Sequence, residues 1–268
     1  MEKTVIVRGG GDIATGVVQK LHRAGLNVLI LESEKPTAIR RSVALCEAVY
    51  DGIKTVEDIT CKKIESLDEL NECYSKGVVP LLIDPNGRSI NELKPTAVID
   101  AIIAKRNLGT NKNMAAITIA LGPGFIAGED VHAVIETKRG HDLGRILLKG
   151  QAEDNTGEPG EVAGESTRRV VYAPVAGIAR HMKSIGDIVK QGDALLTIST
   201  TTEVTATIDG LLRGLIREGI EVSEGLKIAD IDPRTDIDYQ TISDKARCIG
   251  GAVLEAYYYL SGLQGEKQ

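Results

Sequence analysis

The chain of 268 residues has no tryptophan, one phenylalanine (Phe125) and seven tyrosines, so aromatics make up only 3% of it. That is too few to build a stacking platform for bases or an aromatic sugar-binding surface. Cysteine is also scarce. Cys46, Cys61, Cys73 and Cys248 form no C-x-x-C pair, and no histidine cluster stands near them. This spacing excludes a zinc ribbon and a thioredoxin-type redox motif, and it leaves any metal requirement open. Long apolar runs are missing: MAAITIAL at 114–121 is far shorter than the ~20 residues needed to cross a bilayer. The start, MEKTVIVRGG, shows no basic stretch followed by a long apolar one. A cytoplasmic, reducing setting without membrane contact is expected. An excess of positive charge is lacking too. Lys plus Arg total 32 against 38 acidic residues, a formal charge of −6, so no general attraction for nucleic acid is expected.

What is abundant is glycine, with 29 residues placed at definite points. Residues 4–8 (TVIVR) form a β-branched run that stops at Gly9-Gly10-Gly11. A helical pattern follows, with apolar residues at Ile13, Ala14, Val17, Val18 and Leu21, and then the buried-strand pattern NVLIL at 27–31. This order reads as a βαβ unit with a right-handed crossover. A polar helix at about 66–75, a strand at 78–83, an apolar segment at 97–104 and a strand at 115–121 continue the alternation. Strands apolar throughout, rather than on alternate residues, suggest a parallel sheet covered on both faces. The expected fold class is therefore α/β, with a Rossmann-like domain over 1–150.

Residues 151–167 hold five acids, three glycines, one proline and no Lys or Arg, which predicts a loop or linker. An internal repeat follows: 173–198 lies over 206–231 without a gap at an offset of 33. Ala173 falls on Ala206, Gly177 on Gly210, Gly186 on Gly219, Val189 on Val222, Gly192 on Gly225 and Ile198 on Ile231. Two such halves resemble the all-β barrel-sandwich hybrid of biotinyl and lipoyl domains. The hairpin between them, STTTEVT at 199–205, lacks the acceptor lysine of those carriers. The resemblance implies an inserted barrel-sandwich domain over 168–234 without the modification. From 235 to 268 the chain returns to helix, with Ile249, Val253, Tyr257 and Leu260 spaced by three or four residues. This helix is expected to pack back on the α/β domain or on a second subunit of a homo-oligomer.

Two constellations could carry chemistry. The first is Gly9-x-Gly11-x-x-Ala14, with Gly10 inside it, between a strand and a helix. There a turn glycine, a close backbone approach and a helix N-terminus suit a pyrophosphate. Glu32, 23 residues after Gly9, ends the second strand where a carboxylate would meet a ribose diol. Asp12 opposes this reading by its charge, and its structural alternative is an N-cap accepting from the amide of Ala14 or Thr15. Arg40 and Arg41 could hold phosphate or carboxylate, or simply be solvated. The second constellation is GPGFIAGEDVHAVIETKRGHDLGR at 122–145. Its alternation places His132, Val134 and Glu136 on one strand face, pairing a base with a carboxylate, and Arg139 and His141 follow. Its structural alternative is a hairpin with ordinary surface charge. The acidic loop Asp154-Asn155-Thr156-Gly157 with Pro159-Gly160 could hold a metal, cover a pocket or be a plain linker.

Together RGGGDIATG at 8–16, RRSVALCEAVYDG at 40–52, GPGFIAGEDVHAVIETKRGH at 122–141 and the Asn155-Thr156-Gly157-x-Pro159-Gly160 loop resemble the YqeB-type accessory proteins of the selenium-dependent molybdenum hydroxylase system. The acidic loop and the opening pattern are also distantly similar to XdhC-type maturation factors. The resemblance implies an accessory factor that handles molybdopterin, or a nucleotide form of it, for a molybdenum hydroxylase client. It implies a small-molecule ligand and a protein partner, and leaves open whether the chain is itself an enzyme. In that reading Gly9, Gly11 and Ala14 position a phosphate, Glu32 meets a ribose or pterin edge, His132 serves as acid or base, and Arg139 and His141 hold an anionic group. Two other readings stand beside it: an NAD-dependent oxidoreductase, supported by the glycine loop and Glu32, and a non-catalytic scaffold for a client enzyme.

Overall fold

A computed structural model describes residues 4–154, 157 and 160–265 of the chain. These form two compact units: 4–36, 44–154 and 242–265 in the first, 37–43, 157 and 160–241 in the second. In the first unit the strands are β1 (Thr4–Arg8), β2 (Asn27–Glu32), β3 (Ile53–Val56), β4 (Ile59–Ile64), β5 (Val79–Ile83), β6 (Ala97–Asp100), β7 (Ile117–Leu121), β8 (Ala133–Ile135) and β9 (Ile146–Leu147). Its helices are α1 (Asp12–Arg23), α2 (Ala48–Asp51), α3 (Leu70–Ser75), α4 (Arg88–Leu93) and α5 (Asp244–Gly265).

The nine strands make one sheet in the order β3-β4-β5-β2-β1-β6-β7-β8-β9. From β4 to β8 all neighbours run parallel, while β3 and β9 pair antiparallel at the two edges. The central strands are apolar because both faces are covered. Val5, Ile6 and Val7 in β1, Leu29 and Ile30 in β2, and Ile99 in β6 are fully buried. The edge strand β3, IKTV, is only four residues long and carries Lys54, two of the features that keep an edge from pairing with other chains.

α1 buries Ala14, Val17, Val18 and Leu21. α5 lies against it, and glycine sets their separation. A methyl group on Gly16 would come within 2.5 Å of the Ala246 carbonyl oxygen, and one on Gly250 within 2.4 Å of the Gly16 carbonyl oxygen. The turn between β3 and β4 is tied to both helices. Gln19 donates to Glu57 at 2.8 Å and Asp58 at 2.9 Å, and the Ile242 amide donates to Glu57 at 2.9 Å.

The second unit contains β10 (Val170–Tyr172), β11 (Gly177–His181), β12 (Ile188–Val189), β13 (Ala194–Ile198), β14 (Thr202–Thr205), β15 (Gly210–Leu215), β16 (Glu221–Val222) and β17 (Lys227–Asp232). They form two antiparallel four-stranded sheets, β10-β17-β15-β12 and β14-β13-β11-β16. Strands 33 residues apart are counterparts. β11 and β13 share one sheet, β15 and β17 the other, and the short strands β12 and β16 each pair with the opposite half. The core between them includes Leu195, Leu196, Leu212, Leu215 and Ile228.

The expected fold class needs correction. The chain is α/β, but it does not form a Rossmann-like domain carrying an inserted barrel-sandwich. It has a nine-stranded mixed sheet with antiparallel edges, together with two separate antiparallel sheets. The reading went astray because the apolar strands announce themselves in short windows. The polar edge hairpin at 53–64 and the two-residue strand β9 carry no such signal. Residues 101–104, read as apolar continuation, are a loop in which Ile103 adopts φ +58°. Among the described residues no helix is long and apolar enough to cross a membrane.

Candidate functional site

Crossover connections leave β1 toward β2 on one side, and β6 lies on its other side. The carboxyl ends of β1 and β6 thus flank the point where the winding reverses, the usual ligand position in open α/β sheets. Here the chain itself fills the nearest space. Gly9 takes φ +94°, a left-handed conformation that favours glycine. A methyl group on it would sit 3.0 Å from Ala101 O and Ile102 Cα. One on Gly10 would sit 3.0 Å from the amide nitrogen of Cys46, which donates to Gly10 O at 2.8 Å. The close approaches that demand glycine are therefore to the chain's own backbone.

Glu32 does not point into open space. Its carboxylate accepts from the Gly10 amide at 2.8 Å and from the Ser33 amide at 2.7 Å. A carboxylate on that amide repels phosphate, so Gly10 does not offer its N–H to a pyrophosphate. Gly11 is the N-cap of α1, and Asp12 lies inside the first turn instead of capping it. An acid there complements the positive helix end. Space around Gly11 is open, and Ala14 is buried.

Below the loop lies a buried polar group that sequence reading did not single out. Arg8 and Asp100 are register partners at the ends of β1 and β6, with a nitrogen–oxygen distance of 3.8 Å. Arg8 also donates to Thr110 Oγ1 and, at 3.0 Å, to Pro85 O. Thr110 donates to Asp100 at 2.6 Å. Burial pushes the Asp100 carboxyl up despite these partners. The available signal was a charged residue closing each of two apolar strands, TVIVR and AVID.

The 122–145 constellation divides between two ends of the sheet. His132 precedes β8 and Glu136 follows it, roughly 13 Å apart along an extended strand. They share a face without forming a base–carboxylate pair. His132 Nδ1 accepts from the Thr118 amide at 3.0 Å and lies 2.8 Å from Thr118 Oγ1. Burial, then nearby Lys112, lowers its pKa, and its contacts with Thr118 join β8 to β7. Glu136 is buried at the carboxyl end, accepting from the amides of Lys138 and Glu153, each at 2.7 Å. Arg139 grips Asp244 at the start of α5 with two bonds of 2.7 and 2.9 Å. His141 is exposed.

Arg40 and Arg41 belong to the second unit, where Arg41 Nε donates to Leu215 O at 2.7 Å. Asn155, Thr156 and Pro159 of the acidic loop lie outside the described residues. Among the described residues no group of three or more His, Cys, Asp or Glu is arranged to hold a metal ion. Sequence reading also passed over Lys245. It stands in the first turn of α5, half-buried, under the electrostatic influence of Asp12, Arg139, Glu136 and Asp244. A cation at the positive end of a helix was its one local signal.

Over 267 residues the chain is 49% identical to the uncharacterized protein YqeB of Escherichia coli strain K12, covering 98% of this chain and 49% of that protein. The chain thus spans about half the length of the curated relative it matches. No protein-family model matches it. Among solved structures, the product-bound ectoine utilization protein EutE (DoeB) from Ruegeria pomeroyi is 11% identical, with 86% of this chain and 85% of that chain covered and a TM-score of 0.27. A succinylglutamate desuccinylase/aspartoacylase from Rhodobacter sphaeroides is 13% identical, with 88% and 86% covered and a TM-score of 0.28. Likenesses that faint carry no argument about this chain.

Proposed function

Taking the 49% identity to YqeB as the premise, we propose that this chain is part of an accessory factor for molybdenum hydroxylases of the selenium-dependent type. It binds molybdopterin, or a nucleotide form of it, and passes it to the client enzyme. The observation that supports this reading is the carboxyl edge of the first unit's sheet. There the start of α1, the end of β8 and the start of α5 come together, although they lie up to 233 residues apart (Asp12 to Lys245). Buried Glu136 fixes two backbone segments, and the Arg139–Asp244 pair fixes a third. Charged side chains held this way on a rigid sheet edge can orient a polar ligand. The ribose role read for Glu32 has no place in this proposal, because the Gly10 amide occupies that carboxylate.

The test is binding. Purified protein titrated with molybdopterin and with its mononucleotide form should give heat with a micromolar Kd. Native mass spectrometry of protein isolated from its own cells should show the same mass retained. Absence of both signals, together with no association with a hydroxylase client in pull-down, overturns the proposal.

A further inference from the structure

One side of α5 is buried in the first unit, through residues such as Ile249, Val253 and Ala256. The other side carries Gly251, Leu254, Glu255, Tyr258, Tyr259 and Gly262, spaced so that they share one stripe. The open face of a surface helix is ordinarily charged. Here Glu255 is the one charged residue between Cys248 and Gly262. Tyr258 is 53% exposed and Tyr259 50%, in a chain with only seven tyrosines. The Tyr258 ring is held edge-on by buried Tyr257, with centroids 5.3 Å apart and planes at 77°. A fixed aromatic side chain loses little freedom when a partner covers it.

Glycine gives a second, independent sign. Gly250 and Gly251 stand back to back on the helix. A methyl group on Gly250 would come within 2.4 Å of the Gly16 carbonyl oxygen, so α1 requires that glycine. One on Gly251 would meet nothing within 4 Å among the described residues. Glycine in a helix interior weakens the helix relative to alanine, and no contact within this unit explains it at Gly251. On the open side it serves as Gly250 does on the buried side, by letting another backbone come close.

We propose that this side of α5 is a docking surface for a polypeptide equivalent to the half of YqeB that lies outside the match. The match takes in 49% of YqeB, so that protein carries about as much chain again on the same polypeptide. A tether holds two such halves at roughly millimolar effective concentration. The surface of the matched half that gains most from cover is an aromatic, charge-poor face with a small residue at its middle. It calls for a partner with an apolar patch, acceptors for two tyrosine hydroxyls and one donor or cation for Glu255. The proposal stands apart from the ligand proposed above and does not depend on it.

Two experiments test it. Intact YqeB is given a protease site at the boundary of its matched half and cut, and its halves should stay together on size exclusion at micromolar concentration. The full chain studied here is then co-expressed with the unmatched half of YqeB, as wild type, Tyr258→Asp/Tyr259→Asp, Gly251→Ala and the remote surface control Lys76→Gln. Wild type and K76Q should recover the half alike, and the double tyrosine variant should lose it. G251A separates docking from folding: alone it should melt at a higher temperature than wild type, yet hold the half tenfold or more weakly. If the tyrosine variant does not fold, G251A decides. Cut halves that part, wild type that recovers nothing, or G251A and the tyrosine variant binding like wild type overturn the proposal. A dimer of this chain alone, broken by Y258D/Y259D, gives the face to a second copy and overturns it too.

Discussion

Gly16 and Gly250 hold α1 and α5 at backbone contact distance, and neither has room for one more carbon. A methyl group at either would meet carbonyl oxygen at 2.5 or 2.4 Å. Backbone cannot rotate aside as a side chain can, so the helices must separate. Gly16→Ala and Gly250→Ala should each cost about 1–3 kcal/mol, the usual range for overpacking. The double variant should cost less than their sum, because one separation relieves both clashes. Chemical denaturation of the four proteins checks this, and strict additivity would show the crossing to be looser than described. Gly10 meets the same limit against Cys46, so its presence was readable from sequence while its reason was not. G-x-G before a helix looks the same whether the backbone approaches a phosphate or another part of the chain.

In the second unit β15 and β17 carry a buried ionic network. Arg213 donates to Asp230 at 2.8 Å and to Asp232 at 2.7 Å, Arg169 to Asp230 at 2.5 Å, and Arg234 to Asp232 at 2.9 Å. Burial pushes the Asp230 carboxyl up, but Lys227, Arg213 and Arg169 outweigh it and hold it below the ordinary range. Burial likewise opposes ionisation of Asp232, and its bonds to Arg234 with the charge of Arg213 outweigh that. A carboxyl depressed in the folded state contributes stability that is fully present above its unfolded pKa, about 3.9. That contribution is lost as pH falls through the lower folded value. This unit should therefore hold to about pH 4 and unfold below it, read by circular dichroism against pH. Asp230→Asn should cost about 3–5 kcal/mol, since it leaves two buried guanidinium groups short of a charge, and it should flatten the acid transition. An unchanged transition would place the acid sensitivity elsewhere.

The first unit is assembled from three stretches of chain, the last of which arrives after the second unit is complete. α5 buries Ile249, Val253 and Ala256, and without it the face of α1 around Gly16 loses its cover. A fragment ending at residue 154 should consequently be collapsed but poorly ordered, with narrow amide dispersion in NMR. Joining 242–265 to it through a flexible linker should restore a dispersed spectrum. A well-folded 1–154 fragment would refute that dependence. The sequence by itself determined the α/β class, the central apolar strands, the helical C-terminus and the 33-residue repeat. Those features rest on hydrophobic periodicity and turn glycines, which are expressed within windows of a few to some thirty residues. Only the tertiary structure decided the antiparallel edges, the separation of His132 from Glu136, the capture of the Gly10 amide by Glu32 and the placing of Lys245 among Asp12, Glu136 and Arg139. Each of these depends on which strand ends share an edge. Pairing between segments tens to more than two hundred residues apart sets that, and no local pattern records it.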